Sequence, residues 1–308
     1  MTTVSALFPA SSATPLPHWG VIRAQGEEAA KFLHGQLTQD FALLGDTQAR
    51  LAAFCSAKGR MQASFVAFKR AADDLLLVLP RDVLPAVLKR LQMFVLRSKV
   101  RLSDASAEFG VWGLTAPTDA APWGAAPWAL SATDGGHVVS LYPAQGQARA
   151  LRVAPADVPA PAAEALPLDT WQWLEVMAGI APVTTPIVEA FVPQMLNYES
   201  VDGVNFKKGC YPGQEVVARS QFRGTLKRRA YLLQAEAPLT VGQDVFQAAD
   251  AEQPCGTVAA AAPNPAGGWN AIASLRTDAA AAGDLHAGAA DGQALSLLPL
   301  PYPLRDDI

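Results

Sequence analysis

NFKKGCYPGQEVVARSQFRGTLKRR, residues Asn205 to Arg229, sets a cysteine between two lysines and a Pro-Gly turn, directly ahead of a strongly basic run. Pro212-Gly213 marks a turn, and QEVVARSQF beyond it reads as a short helix. Pro212 is acceptable at a first helical position, where its missing N–H costs nothing. Glu215 stands four residues before Arg219, the favourable order for an ion pair on one helix face. Cys210 then falls just outside the helix N-terminus, with Lys207 and Lys208 close behind. Positive charge and the helix dipole both favour a thiolate there, provided the thiol is accessible. A plainer reading also fits, since an isolated cysteine commonly serves as a small buried hydrophobe.

The charge census sharpens the question. Lys207, Lys208, Arg219, Arg223, Lys227, Arg228 and Arg229 fall within one 23-residue stretch, and Glu215 is the only acid among them. The whole chain carries a formal charge of -4, so this density is local. Such a cluster either meets an anionic partner (a carboxylate tail, a phosphate, RNA) or forms a solvated basic face. Guanidinium groups suit bidentate recognition of carboxylate or phosphate, which favours the first.

Outward from this stretch, HWGVIRAQ reads as a strand and EEAAKFLHGQL as a helix, with Ala30, Phe32, Leu33 and Leu37 at helical spacing. ARLAAFCSAKGRMQASFVAF reads as two strands joined across SAKG, Gly59 supplying the turn. DLLLVLP is a short buried strand. Apolar residues from Val83 to Val95 then make one helical stripe between Arg81 and Arg97, followed by the strands KVRLSD and EFGVWGL. Residues 115–167, rich in Ala, Pro and Gly, read as loops with a few edge strands. LDTWQWLEVMAGI is a helix capped by Gly179. From Ala230 onward, short strands alternate with turns, as in a small antiparallel barrel or sandwich.

Several function classes find no support. No phosphate-binding glycine loop, nucleophile elbow or paired-histidine metal motif occurs, and the four histidines are scattered. Three cysteines without a C-x-x-C make neither a disulfide framework nor a four-cysteine iron–sulfur site, and they fit a reducing cytoplasm. No targeting segment is read at the N-terminus, and no window reaches the ~18 consecutive apolar residues of a membrane span. His34, Gln36, Thr38 and Lys58 look unusually polar for their surroundings and are either satisfied internally or face a cleft.

KKGCYPGQEVVARSQFRG resembles the signature of the YgfZ family, folate-binding relatives of the glycine-cleavage T-protein (aminomethyltransferase). KFLHGQLTQD, LAAFCSAKGRMQASF, FVPQMLNYESVDGVNFKKGC and the terminal LLPLPYPL are similar to family segments in the same order. The resemblance implies an α+β fold: an aminomethyltransferase-like cloverleaf of mixed sheet-and-helix subdomains around a folate pocket, with a C-terminal antiparallel β-barrel. It places the folate-binding body, two interleaved subdomains, at residues 1–229 and the barrel at 230–308. It implies a folate-dependent helper that assembles or repairs iron–sulfur clusters in client enzymes, including those that thiolate tRNA. Tetrahydrofolate or a derivative would be the cofactor, with no stable intrinsic cluster, and the partners would be iron–sulfur client or assembly proteins.

By motif, Lys208, Gly209, Cys210, Tyr211, Gly213, Gln214, Glu215 and Arg219 carry the signature, flanked by Lys207 and Arg223. Trp19 and Trp171 are similar in placement to the family's folate-contacting tryptophans, with Trp173 a close rival to Trp171. Cys210 would act as nucleophile, redox group or transient ligand. Where aminomethyltransferases carry the acidic KG-D-F-x-G-R-E, this chain has Cys210 and Gln214, a thiol for a carboxylate and an amide for a guanidinium. Two alternatives stay open: a tetrahydrofolate-dependent aminomethyl transferase, and direct tRNA binding through residues 219–229.

Overall fold

The computed structural model describes residues 8, 11–124, 126–133, 135–222 and 226–305. In chain order the first elements are β1 (Ser12–Pro15), β2 (Trp19–Gln25), α1 (Ala29–Gln36), β3 (Ala49–Cys55), β4 (Met61–Ala71), β5 (Asp74–Pro80), α2 (Leu84–Gln92), β6 (Arg101–Asp104) and β7 (Phe109–Pro117). Then come β8 (Leu130–Thr133), β9 (Gly136–Ala144), β10 (Gln147–Pro155), β11 (Glu164–Ala165), α3 (Leu168–Met177) and α4 (Gln214–Phe222). The last are β12 (Arg228–Ala235), β13 (Asp244–Gln247), β14 (Gly256–Pro263), β15 (Trp269–Arg276), α5 (Thr277–Ala282), β16 (Leu285–Ala287) and β17 (Gln293–Leu298).

The strands form three units. A five-stranded sheet runs β3-β4-β5-β2-β6, a six-stranded sheet runs β11-β1-β7-β10-β9-β8, and β12-β15-β14-β13-β16-β17 close into a barrel. Period-two alternation decides what each face of the first sheet covers. Ile22, Ala63, Phe65, Leu75 and Leu77 point to one side, where they pack with Phe32 and Leu33 of α1 and Val87 and Leu91 of α2. Their neighbours Val21, Val66, Phe68, Leu76 and Val78 point to the other side, into a core shared with Val139, Leu151 and Val153 of the second sheet. β5 is apolar from Leu75 to Pro80 because both of its faces are buried there.

Two expectations from the sequence need correction. Residues 115–167 do not hold mere edge strands: β10 is an interior strand, paired over its whole length with β7 and on its other side with β9. Small alanines at positions 148, 150 and 154 blur the apolar alternation that would have announced it. The helix read from Arg81 to Arg97 is confined to Leu84–Gln92, and Leu96 lies in the left-handed region at φ 36. Its apolar stripe therefore runs on past the helix into solvent.

Candidate functional site

A partly open cavity of about 60 Å³ lies between the two sheets. Leu51 and Val66 of the first sheet face Leu141 and Leu151 of the second, and Trp19, Trp128 and Tyr142 supply aromatic walls. Most polar groups at the wall are already engaged. Tyr198 donates its hydroxyl to the Ala181 carbonyl at 2.8 Å, and the Trp128 indole N–H donates to the Val201 carbonyl at 3.0 Å. The Trp19 indole nitrogen and Arg149 Nε have no hydrogen-bond partner among the described residues.

Arg149 is the anomaly of this cavity. It is only 4% exposed, yet its one hydrogen bond among the described residues is a long one, from Nη1 to the Tyr142 carbonyl at 3.4 Å. Burial lowers its pKa to about 10, with Glu175 acting in the opposite direction. The strand places it there by phase: Gln147, Arg149, Leu151 and Val153 share the inward side of β10, and Arg149 pairs with Leu141 and Thr115. Its guanidinium lies 4.7 Å from the ring centroid of Trp171, a cation–π contact that tolerates the charge without saturating its donors. Glu175, on α3 four residues after Trp171, also lines the cavity and stands 3.8 Å from His18 Nε2.

The indoles divide differently from the expectation. Trp19 lines the cavity. Trp171 does not; it is fully buried and pressed so close to the sheet that a Cβ on Gly113 would sit 2.6 Å from its ring. It meets the cavity only by supporting Arg149. Trp173 is not a cavity residue either, because its N–H donates to Asn270 Oδ1 of the barrel at 2.8 Å. Composition does not distinguish a wall indole from a supporting one; the depth of the α3 face against the sheet does.

The signature loop forms a separate shelf. Gly213 has φ +81, and a Cβ there would approach the Ser56 carbonyl oxygen to 2.4 Å, so only glycine lets the loop lie against the β3–β4 turn. Gly59 in that turn, at φ +70, faces the Val216 side chain in return. This contact delays α4 to Gln214, so Pro212 precedes the helix rather than opening it. Cys210 is exposed and is not among the residues lining the cavity.

Lys208 turns inward beneath Cys210. Its Nζ donates to the carbonyls of His34 and, at 2.8 Å, Leu37, and it lies 4.7 Å from the Tyr211 ring centroid. These bonds take up carbonyls at the end of α1 that the helix itself leaves free. Gly209 approaches His34, whose Nδ1 pairs with Asp40 Oδ1 at 3.1 Å. Thr38 is satisfied internally, donating to the Gly203 carbonyl at 2.7 Å, while Lys58 is exposed on the turn. Burial lowers the Lys208 pKa to about 8, opposed by Asp40 and Cys210. The folded chain thus holds that proton less tightly than the unfolded chain does, and this group makes stability rise as pH climbs from about 8 towards 10.5. Thermal denaturation across that window should show the rise in the native protein and a flatter profile in Lys208→Met.

The basic cluster breaks up in three dimensions. Lys208 and Arg229 are buried, Arg228 donates from Nη1 to the Cys255 carbonyl at 3.0 Å, and Arg223 lies outside the described residues. Arg229 instead pairs with the fully buried Glu199 at 2.6 Å. Glu215 and Arg219 are both exposed, and no ion pair among the described residues joins them. Lys207, Arg219 and Lys227 remain in solvent. Among the described residues no three His, Cys, Asp or Glu side chains gather as a metal site, and no helix is long and apolar enough to cross a membrane.

The tRNA-modifying protein YgfZ of Sodalis glossinidius (strain morsitans) is 31% identical over 310 residues, covering 94% of this chain and 93% of that protein. The chain belongs to the YgfZ family. The protein of the same name from Edwardsiella ictaluri (strain 93-146) is 32% identical, covering 93% of this chain and 91% of its own length. No family model matches the chain. The glycine cleavage system aminomethyltransferase T of Bartonella henselae superposes with a TM-score of 0.72 over 96% of this chain and 87% of that one, at 15% identity. This YgfZ-family chain therefore has the aminomethyltransferase fold, with its closed antiparallel barrel.

The two charged residues of the cavity, Arg149 and Glu175, are absent from the sequence reading, and each had a signal. Arg149 is in phase with Leu151 and Val153, visible once QARALRV is taken as a strand. Glu175 follows Trp171 by four residues, hence lies on the same helix face.

Proposed function

We propose that this protein is a folate-binding accessory factor for the assembly or repair of iron–sulfur clusters in cytoplasmic client enzymes, tRNA-modifying enzymes among them. The observation that carries the folate half is a largely apolar, aromatic-walled cavity holding a buried, under-bonded guanidinium. A pteridine offers a planar ring for the Trp19 and Tyr142 walls and a carbonyl oxygen for Arg149. Glu175 is the natural acceptor for its amino and ring N–H groups. Such residues would hold a reduced folate, which supplies one-carbon chemistry at its ring nitrogens. The relatives' name, tRNA-modifying protein, supports the client class.

In this reading the body, residues 1–229, holds the ligand, and the barrel, residues 230–308, fixes one side of it through Asn270, which accepts from Trp173. Cys210 carries the exchange with clients, as nucleophile, redox group or transient ligand, from a loop that a partner can reach. Its lysine neighbour Lys208 shapes the loop instead of meeting the ligand.

The test is Cys210→Ala, with 5-formyltetrahydrofolate affinity measured on the purified protein and tRNA thiolation measured in cells. Unchanged affinity with thiolation reduced about tenfold or more is expected, the scale typical of losing a reacting group. Full thiolation would return Cys210 to a passive role. A second reading, a folate-dependent one-carbon transferase, is favoured by the carboxylate of Glu175 in the cavity, a group able to take or give a proton. Steady-state release of a one-carbon product by the native protein would establish it.

A further inference from the structure

A cationic run that the fold does present to solvent is Lys89 to Arg101. Lys89, Arg90, Arg97, Lys99 and Arg101 are all exposed, and no acidic residue lies between positions 89 and 101. Apolar side chains are interleaved with them: Met93 is 67% exposed, Phe94 40% and Leu96 89%. Beside Met93 opens a groove of about 550 Å³, lined by Phe54, Val83 and Val87 and edged by Lys89, Arg90 and Val188. Asp82 is the one carboxylate on its lining, and the Thr185 backbone N–H already occupies it at 2.8 Å. Lys99 is matched by Glu27 at 2.5 Å, which leaves Lys89, Arg90, Arg97 and Arg101 without an ion pair among the described residues.

We propose that this face docks an acidic amphipathic segment of a partner protein. Its apolar side chains would enter the groove beside Met93, and its carboxylates would meet Lys89, Arg90 and Arg97. Large aliphatic side chains this exposed gain by being covered, and Lys89 and Arg90 on the groove edge, in a protein of charge -4, select an acidic cover. RNA is the less suitable occupant: it needs planes for stacked bases, and this patch offers one half-exposed aromatic, whereas flexible methionine and leucine adapt to a protein helix. The groove lies on the helix side of the five-stranded sheet, where Phe54, Val83 and Val87 belong to the core under α1 and α2. Leu51 and Val66, which line the ring-binding cavity, face the opposite side. The two sites are therefore separate, and this proposal does not depend on folate binding.

The experiment replaces Met93 with the photo-cross-linker benzoylphenylalanine in the full-length chain, with Glu236 on the barrel as the control position. Expected are adducts mapping to an acidic segment of another protein with apolar residues at helical spacing. Their yield should fall about tenfold or more when Lys89→Glu and Arg90→Glu are added, as loss of complementary charge predicts. Adducts on RNA, on a second copy of the chain, equal to those from position 236, or undiminished by charge reversal would overturn the proposal. Should the double reversal fail to fold, Arg97→Glu reads the same effect.

Discussion

Arg149→Met should weaken 5-formyltetrahydrofolate binding about 10- to 100-fold, the usual cost of removing a charged hydrogen-bond donor from a desolvated site, while leaving the melting temperature unchanged or higher. The two halves of this result come from one fact. A guanidinium that is 4% exposed and bonded among the described residues only at 3.4 Å is a poorly compensated buried charge, with Trp171 and Glu175 offsetting part of the cost, and such groups destabilise a fold unless something pairs with them. Methionine keeps much of the aliphatic volume and the contact with Trp171 while discarding the charge, so stability gains what ligand affinity loses. Isothermal titration with the reduced folate and differential scanning calorimetry of the same preparation measure both. Unchanged affinity would remove Arg149 from the ligand; a large fall in melting temperature would make the cation–π contact with Trp171 structural.

Arg229→Met should destabilise the protein by about 3–5 kcal/mol, the range for stranding one member of a buried ion pair. Glu199 has no exposure at all, and its Oε1 accepts from Arg229 Nη1 at 2.6 Å and from Ser200 at 2.9 Å, while Oε2 has no partner among the described residues. Burial raises its pKa, with Arg229 opposing. A carboxyl whose folded pKa is raised is held more tightly by the folded chain, so once Arg229 is gone the loss should be smaller at about pH 5 than at about pH 8. Adding Glu199→Gln to Arg229→Met should restore about half of the lost stability or more, because the amide needs no counter-charge. The contact of Arg229 Nη2 with the Arg305 carbonyl would stay lost. Urea unfolding of the single and double variants at both pH values measures the effect. A double variant as unstable as the single would show that the charge of Glu199 is not what Arg229 compensates.

This pair also shows why charge density in sequence misleads. Seven cations lie between Lys207 and Arg229, yet two of them are buried: Arg229 because the barrel begins at Arg228 and draws that end of the run inward, and Lys208 because it turns in to the carbonyls of His34 and Leu37. The Lys89–Arg101 run looks less dense but stays on the surface, since α2 buries only its Leu84–Val87–Leu91 stripe. The same region explains the overlong helix reading: Phe94, Val95 and Leu96 continue the apolar pattern, and a pattern records side-chain chemistry rather than burial.

What residue order alone determined was local: β5 as an apolar run from Leu75 to Pro80, α4 from Gln214 to Phe222, the glycine turns at Gly59 and Gly179, and the order of family segments that implies the fold. Each follows from neighbours within one or two turns of chain, whose sterics and apolar period act without distant partners. Tertiary structure alone decided that Trp19 faces the cavity while Trp171 supports Arg149 from behind. It also decided that Lys208 holds carbonyls from residues more than 170 positions away, and that cavity and thiol stand apart. These depend on which sheet face meets which helix. That is settled by long-range packing, where one step of strand register exchanges a wall residue for a buried one.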